Sequence, residues 1–306
     1  MSAVTIEKIA WGGWPNCYRL SNGEIELVVT TDVGPRIMRY AFVGGGPNLF
    51  LELPDQLGKS GESEFRPRGG HRLWCAPERF PLSWAPDNTP VEVRLQGGNT
   101  IELTAPVEPL SGLRKSLLIR LASTGSSVMV HHRLENTLAW DIELAAWPLT
   151  MMAPGGVGIT GFPPRGTHPE ILAPTNPLVM FAFTDFSDPR WTLLRKYLAL
   201  RQDARHPSPM KAGLFNERTW GAYFLNGHLF LKQYSADPAA RYPDMGCSFE
   251  IFASGVTLEL ETLGPLKTLA PGGSLEHGER WTLHRGMALP EKLTDDALDQ
   301  VMAPLL

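Results

Sequence analysis

Three glutamates toward the C-terminal end, Glu250, Glu259 and Glu261, are the residues whose spacing first suggests chemistry. They sit in GCSFEIFASGVTLELETLG, where two alternating runs flank Ser254-Gly255, a short turn signal. With a two-residue turn, Ile251 faces Leu258 and Glu250 faces Glu259. Side chains alternate along a strand, so the three carboxylates share one face while Phe249, Ile251, Leu258 and Leu260 share the other. Glu259 and Glu261 share a face at any turn length. Like charges opposed across a ladder destabilise it, so the cluster calls for a site, a set of cationic partners or an open acidic face. A carboxylate tuned by burial and neighbours is what general acid–base chemistry requires. The structural alternative is a solvated strand face balanced by Lys211, Lys232 or Arg195.

A second group of candidates lies in Arg68-Gly69-Gly70-His71-Arg72-Leu73-Trp74. Glycines let backbone approach a ligand closely. Arg72 offers a planar fork for oxygen acceptors, Trp74 offers a flat apolar face, and His71 a titratable ring. The competing reading is a surface turn with Trp74 plugging the core. Arg36, after Gly34-Pro35, is either a ligand-binding cation or a salt-bridged strand residue. Lys211, Lys232 and Tyr234 are strand residues near the acidic hairpin that bind ligand or face solvent, and Asp244 suits a turn. The chain contains no P-loop, dinucleotide fingerprint, HExxH, CxxC or GxSxG. His131 and His132 are adjacent in a strand and point to opposite faces, which makes them poor joint metal ligands. Neither a metal nor a cofactor is expected.

The elements that must carry these residues read as short strands. Cys17 to Leu20 and Glu24 to Thr31 form a hairpin about Ser21-Asn22-Gly23, with Ile25, Leu27 and Val29 on one side. Asn226-Gly227 is the strongest hairpin signal; it pairs Tyr223 with Phe230 and Gly221 with Lys232 and places Ala222, Phe224, Leu229 and Leu231 on one apolar face. Trp140 to Met152 is a nearly continuous apolar run, read as a buried, bent strand because of Pro148. Residues 54–90 have no usable periodicity but carry Phe65, Trp74, Phe80 and Trp84; disordered segments lack such aromatics, so an ordered excursion is expected. Asp188-Pro189 opens either a short helix through Lys196 or a strand. Pro290 to Leu306 suits an amphipathic terminal helix through Leu293, Leu298 and Val301.

Composition bounds the rest. The 306 residues are 43% hydrophobic and 20% charged, enough for a sizeable core. A net charge of −4 does not indicate a nucleic-acid surface, though it leaves room for a local basic cleft. The three scattered cysteines argue against a disulfide framework and for a reducing compartment. No run approaches a membrane helix and the N-terminus lacks a signal-peptide core, so a cytoplasmic protein is expected, with neither nucleic acid nor membrane as partner. Without a repeat or a clean linker, the expected architecture is all-β, one large antiparallel domain over residues 1–306 with a short C-terminal helix.

Across most of its length the chain resembles the aldose 1-epimerase, or galactose mutarotase-like, superfamily. The motifs are Asn22-Gly23, Val33-Gly34-Pro35-Arg36-Ile37, Gly46-Pro47-Asn48-Leu49-Phe50, Arg68-Gly69-Gly70 and Glu135-Asn136-Thr137. Most specific are Leu260-Glu261-Thr262, then Leu269-Ala270-Pro271-Gly272-Gly273 with Glu279-Arg280-Trp281. The resemblance implies a β-supersandwich that holds a sugar in a cleft across one sheet. It implies Glu261 as the base that takes the anomeric hydroxyl proton, and a histidine that protonates the ring oxygen. Where active members carry Asn-His-Thr this chain has Asn136-Thr137-Leu138, which leaves His71 as the nearest substitute acid. Arg36, Arg72, Trp74, Lys211, Lys232, Tyr234, Glu250 and Glu259 would bind or tune. The implied partner is a small sugar or sugar derivative; the alternatives are a non-catalytic carbohydrate-binding protein and an accessory domain of polysaccharide metabolism.

Overall fold

Alternating apolar and polar residues, punctuated by turn formers every few positions, fold the described residues into twenty-one strands, with one α-helix after the last strand. The computed structural model describes residues 4–306. The strands form two antiparallel sheets, one of eleven strands and one of ten. In the middle of the first sheet lie, side by side, Arg36–Phe42, His71–Ala76, Ile142–Met152, Leu258–Thr262, Phe249–Ala253 and Met210–Leu214. The second sheet centres on Trp220–Leu225, His228–Tyr234, Ser274–Arg285 and Val128–Asn136. The core fills the space between the sheets: Phe249, Ile251, Leu258 and Leu260 from the first meet Tyr223, Phe230, Trp281 and Leu134 from the second. The all-β sandwich expected from the sequence is the observed fold.

The Asn226-Gly227 hairpin has the expected register, Tyr223 opposite Phe230 and Gly221 opposite Lys232. Ala222, Phe224, Leu229 and Leu231 form an apolar face on the outside of the second sheet, and the terminal helix Asp295–Met302 covers it with Leu298 and Met302. The helix is shorter than the 290–306 span. Thr294 caps its N-terminus by accepting from the Ala297 amide at 3.2 Å, and Asp295 and Asp296 in the first turn complement the helix dipole. Among the described residues no helix is long and apolar enough to cross a membrane. Cys17, Cys75 and Cys247 are free and buried.

Two sequence expectations are corrected and one open alternative is decided. The acidic hairpin turns through residues 254–257, with the Ser254 amide donating to the Thr257 carbonyl at 2.9 Å. Glu250 therefore opposes Glu261, and Phe252 opposes Glu259. The shift is two residues, an even number, so every side chain keeps its face. The second correction concerns residues 54–90, which contain a central strand, His71–Ala76, buried along its whole length. A strand covered on both faces loses the alternation that would reveal it. The rest of that excursion is pinned by two buried guanidinium groups. Arg36 binds Asp87 at 2.7 Å and the carbonyls of Arg66, Pro67 and Gly69; Arg68 holds Asn88 at 2.8 Å and the Gln56 carbonyl at 3.0 Å. Third, residues 188–196 resolve to a strand, Trp191–Leu193, paired with Tyr197–Arg201. Asp188 is drawn into a two-point contact with Arg190 at 2.9 Å.

Candidate functional site

The pleat of the first sheet decides which candidates meet. Leu73, Cys75, Met210, Ala212, Phe249, Ile251, Leu258 and Leu260 point into the core. Their strand neighbours Arg72, Trp74, Lys211, Glu250, Glu259 and Glu261 therefore point to the outer face. One cross-strand row runs Arg36, Arg72, Leu149, Glu261, Glu250, Gly213. The next row on one side pairs Trp74 with Trp147; the row on the other runs Met151, Glu259, Phe252, Lys211.

Two glutamates directly opposed would repel. The Lys211 ammonium removes the conflict, lying 2.7 Å from Glu250 Oε2 and 2.8 Å from Glu261 Oε2. Burial alone would lower the lysine's pKa, but the two carboxylates raise it above its ordinary range, so it stays charged. Glu250 has no exposure at all, and its oxygens accept no well-aligned hydrogen bond beyond that ion pair. Burial pushes its carboxyl well up, and Glu261 adds to the effect of burial while Lys211 opposes it. The pair Glu250–Glu261 thus shares one cation, and burial favours the protonated form of Glu250. Gly213, opposite Glu250, makes the room: a Cβ there would stand 2.5 Å from Cys247 Sγ and 3.2 Å from Glu250 Cγ.

Glu261 is further held by Trp147, whose indole Nε1 donates to Oε2 at 2.8 Å. Oε2 thus takes both the indole and the ammonium, and Oε1 takes neither. Glu259 accepts from Arg72 Nη2 at 3.3 Å. Burial raises its carboxyl above the usual range despite Arg72. Arg72 lies over the Trp74 ring at 4.7 Å and near Phe65, and its buried Nε and Nη1 have no partner. Unused buried donors are costly unless a ligand or water takes them. Phe65, Leu263 and Leu266 pack along Trp74 and Trp147, while Phe181 caps Lys211 at 4.8 Å. This face sets flat apolar rings beside carboxylates and a guanidinium.

The other candidates are elsewhere. His71 is the strand neighbour of Arg72 and so lies on the opposite face, between the sheets, where it cannot meet Glu261. There His132 Nδ1 donates to the His277 carbonyl at 2.9 Å, which leaves its Nε2 to accept from His71 Nε2 at 2.8 Å; His71 Nδ1 in turn accepts from Thr150 at 2.8 Å. Burial holds His71 well below the ordinary imidazole range, so it carries no labile extra proton. Lys232 joins this inner network, 3.1 Å from Glu279 and 3.1 Å from the Leu260 carbonyl. Tyr234 also faces inward, 3.3 Å from Ser248 Oγ. Arg36 belongs to the outer row, but its guanidinium is occupied by Asp87 and the loop carbonyls. His71, Lys232 and Tyr234 therefore form no part of the Glu261 face.

His71, His132 and Glu279 bring donor atoms within 4.8 Å of one another, the only such group of metal-ligating type among the described residues. Glu279 is already neutralised by Lys232, and its oxygens accept from Thr262 and Trp281. The group is saturated by its own hydrogen bonds and reads as a structural polar network. Trp147, the direct partner of Glu261, was hidden in sequence inside an apolar run. The available signal was its two-residue spacing from Leu149, which puts both on one face.

No family model and no curated protein matches this chain in sequence. Solved structures do match in shape. A galactose mutarotase-like protein from Lactobacillus casei ATCC 334 aligns with a TM-score of 0.56 at 11% identity, over 88% of this chain and 100% of that one. A galactose mutarotase related enzyme from Lactobacillus acidophilus aligns at 0.56 and 10% identity, over 91% and 98%. A galactose mutarotase-like protein from Clostridium acetobutylicum gives 0.55 and 11%, over 93% and 100%. The chain has the galactose mutarotase-like fold. At such identities the likeness speaks for the fold alone.

Proposed function

We propose that the protein binds a sugar on the outer face of its first sheet and interconverts its anomers as a mutarotase. The observation that carries this reading is Glu261, fixed at Oε2 by the Lys211 ammonium and the Trp147 indole with Oε1 left for a substrate proton. Glu261 takes the proton of the anomeric hydroxyl. Glu259, two residues along the same face with its carboxyl raised above the usual range by burial, gives a proton to the ring oxygen, and the C1–O5 bond opens. The carbonyl group turns, O5 attacks its other face, and the two protons return. Same-face neighbours on a strand stand roughly 7 Å apart, a span that one pyranose ring can bridge. Arg72 supplies its unpartnered Nε and Nη1 to hydroxyl oxygens, and Trp74 and Trp147 line the apolar side.

Glu259 takes the acid's role here because His71 faces the core. A second reading, a carbohydrate-binding protein without turnover, rests on the resemblance noted in the sequence: this chain has Asn136-Thr137-Leu138 where that resemblance implies Asn-His-Thr. Exchange spectroscopy by NMR on neutral, acidic and phosphorylated sugars separates the two. Acceleration is expected for at least one sugar, with a loss of about 10²-fold or more in Glu261→Gln and in Glu259→Gln. Acceleration that survives Glu261→Gln unchanged removes it as base, and binding of a sugar without any acceleration supports the second reading. Three thiols kept free fit a reducing compartment, and we place the protein in the cytoplasm.

A further inference from the structure

A cavity of about 340 Å³ opens at the end of the sandwich, apart from the Glu261 face. Its floor belongs to the layer between the sheets: Cys75 and Leu144 from the first sheet and Leu113 from the second are all core residues. Its rim carries Leu82, Leu110 and Trp140, exposed by 38%, 51% and 62%. Exposed apolar side chains gathered around a recess of this size mark a place where something apolar binds.

The polar groups of the wall decide what kind of molecule fits. Ser83 Oγ donates to the Cys75 carbonyl and accepts from the Arg79 amide, and Ser111 Oγ donates to Glu108. Glu143 is paired with Arg241. The Arg79 guanidinium is different: it lines the cavity, is exposed, and has no hydrogen-bond or ion-pair partner among the described residues. The walls thus offer carbon inside and one unspent cation. We propose that this cleft binds a small amphiphilic carboxylate, its apolar body in the cavity and its anion on Arg79. A guanidinium pairs two-pronged with a carboxylate, and the depth down to Cys75 suits a chain or ring better than a flat protein surface. The proposal is independent of the role given to Glu261.

The three thiols provide the readout, since Cys75 lines the cavity while Cys17 and Cys247 have no exposure. Octanoate and octanol are titrated against the full chain by calorimetry, and Cys75 labelling by a small maleimide is followed by mass spectrometry. Octanoate is expected to bind about tenfold more tightly than octanol, a difference of about 1.4 kcal/mol, and to slow labelling of Cys75. Arg79→Gln, at an exposed position, is expected to bring the two ligands to parity without weakening octanol. The proposal fails if millimolar octanoate leaves Cys75 labelling unchanged, if octanol binds the native protein as tightly, or if Arg79→Gln keeps the preference.

Discussion

Replacing Lys211 by methionine tests the electrostatics of the outer face most directly. Among the described residues the ammonium is the one cation paired with both Glu250 and Glu261, which lie directly opposite each other with 0% and 1% exposure. Removing one partner of a buried ion pair costs about 3–5 kcal/mol when the other charge is left unpaired. The protein has an escape, which is to take up a proton. An ordinary glutamate titrates near 4.5, so protonating one at about pH 7.5 costs about 4 kcal/mol and at about pH 5.5 only about 1 kcal/mol. Folded Lys211→Met therefore binds one more proton than the native protein, and its deficit shrinks as the pH falls. Urea unfolding of both proteins at the two pH values, followed by tryptophan fluorescence, should show that convergence. A deficit that is the same at both values would refute the shared-cation account, and a negligible deficit at pH 7.5 would show that Lys211 does not hold the pair.

Two further outcomes are expected. Gly213→Ala should lower stability by about 1–3 kcal/mol in thermal unfolding, because its Cβ would meet Cys247 Sγ at 2.5 Å. In the inner network, burial pushes His132 down to about 3 and His277 to about 4. Both stay neutral when folded and gain a proton when unfolded near the ordinary 6.5, so their contribution is complete above that value and is lost as pH falls towards the folded values. His132→Asn, which keeps a donor for the His277 carbonyl, should be less stable at neutral pH. Between about pH 6 and pH 4 its stability should fall less steeply, by about 1.4 kcal/mol per pH unit, as read by urea titration.

The sequence was most legible where parity alone mattered. Glu259 and Glu261 share a face whatever the turn, and the two-residue error in the register of the 249–262 hairpin moved partners without moving faces. Asn226-Gly227 was read down to individual pairs, because a two-residue turn with both residues at positive φ leaves no freedom in the ladder. His71 and Arg72 show the limit. Their strand carries apolar neighbours on both faces, so no alternation announced it, and two adjacent residues taken as one group proved to belong to opposite layers. Trp147 was obscured for the same reason, and its bond to Glu261 is a contact across 114 residues of sequence, which no local pattern encodes.

The row Arg36, Arg72, Leu149, Glu261, Glu250, Gly213 has a kinetic meaning as well. Its neighbours are drawn from six strands, and Arg72 and Leu149 meet Glu261 only after long stretches of chain have closed. Closing such loops comes before the contacts that reward it, so non-local sheets are slow to form. Until the hairpin that carries Glu250 and Glu261 docks on Ile142–Met152, Glu261 lacks the Trp147 indole that holds its Oε2. The sugar binding proposed for this face would therefore report completion of the first sheet, and its recovery during refolding should coincide with the last protection of the amides at its centre.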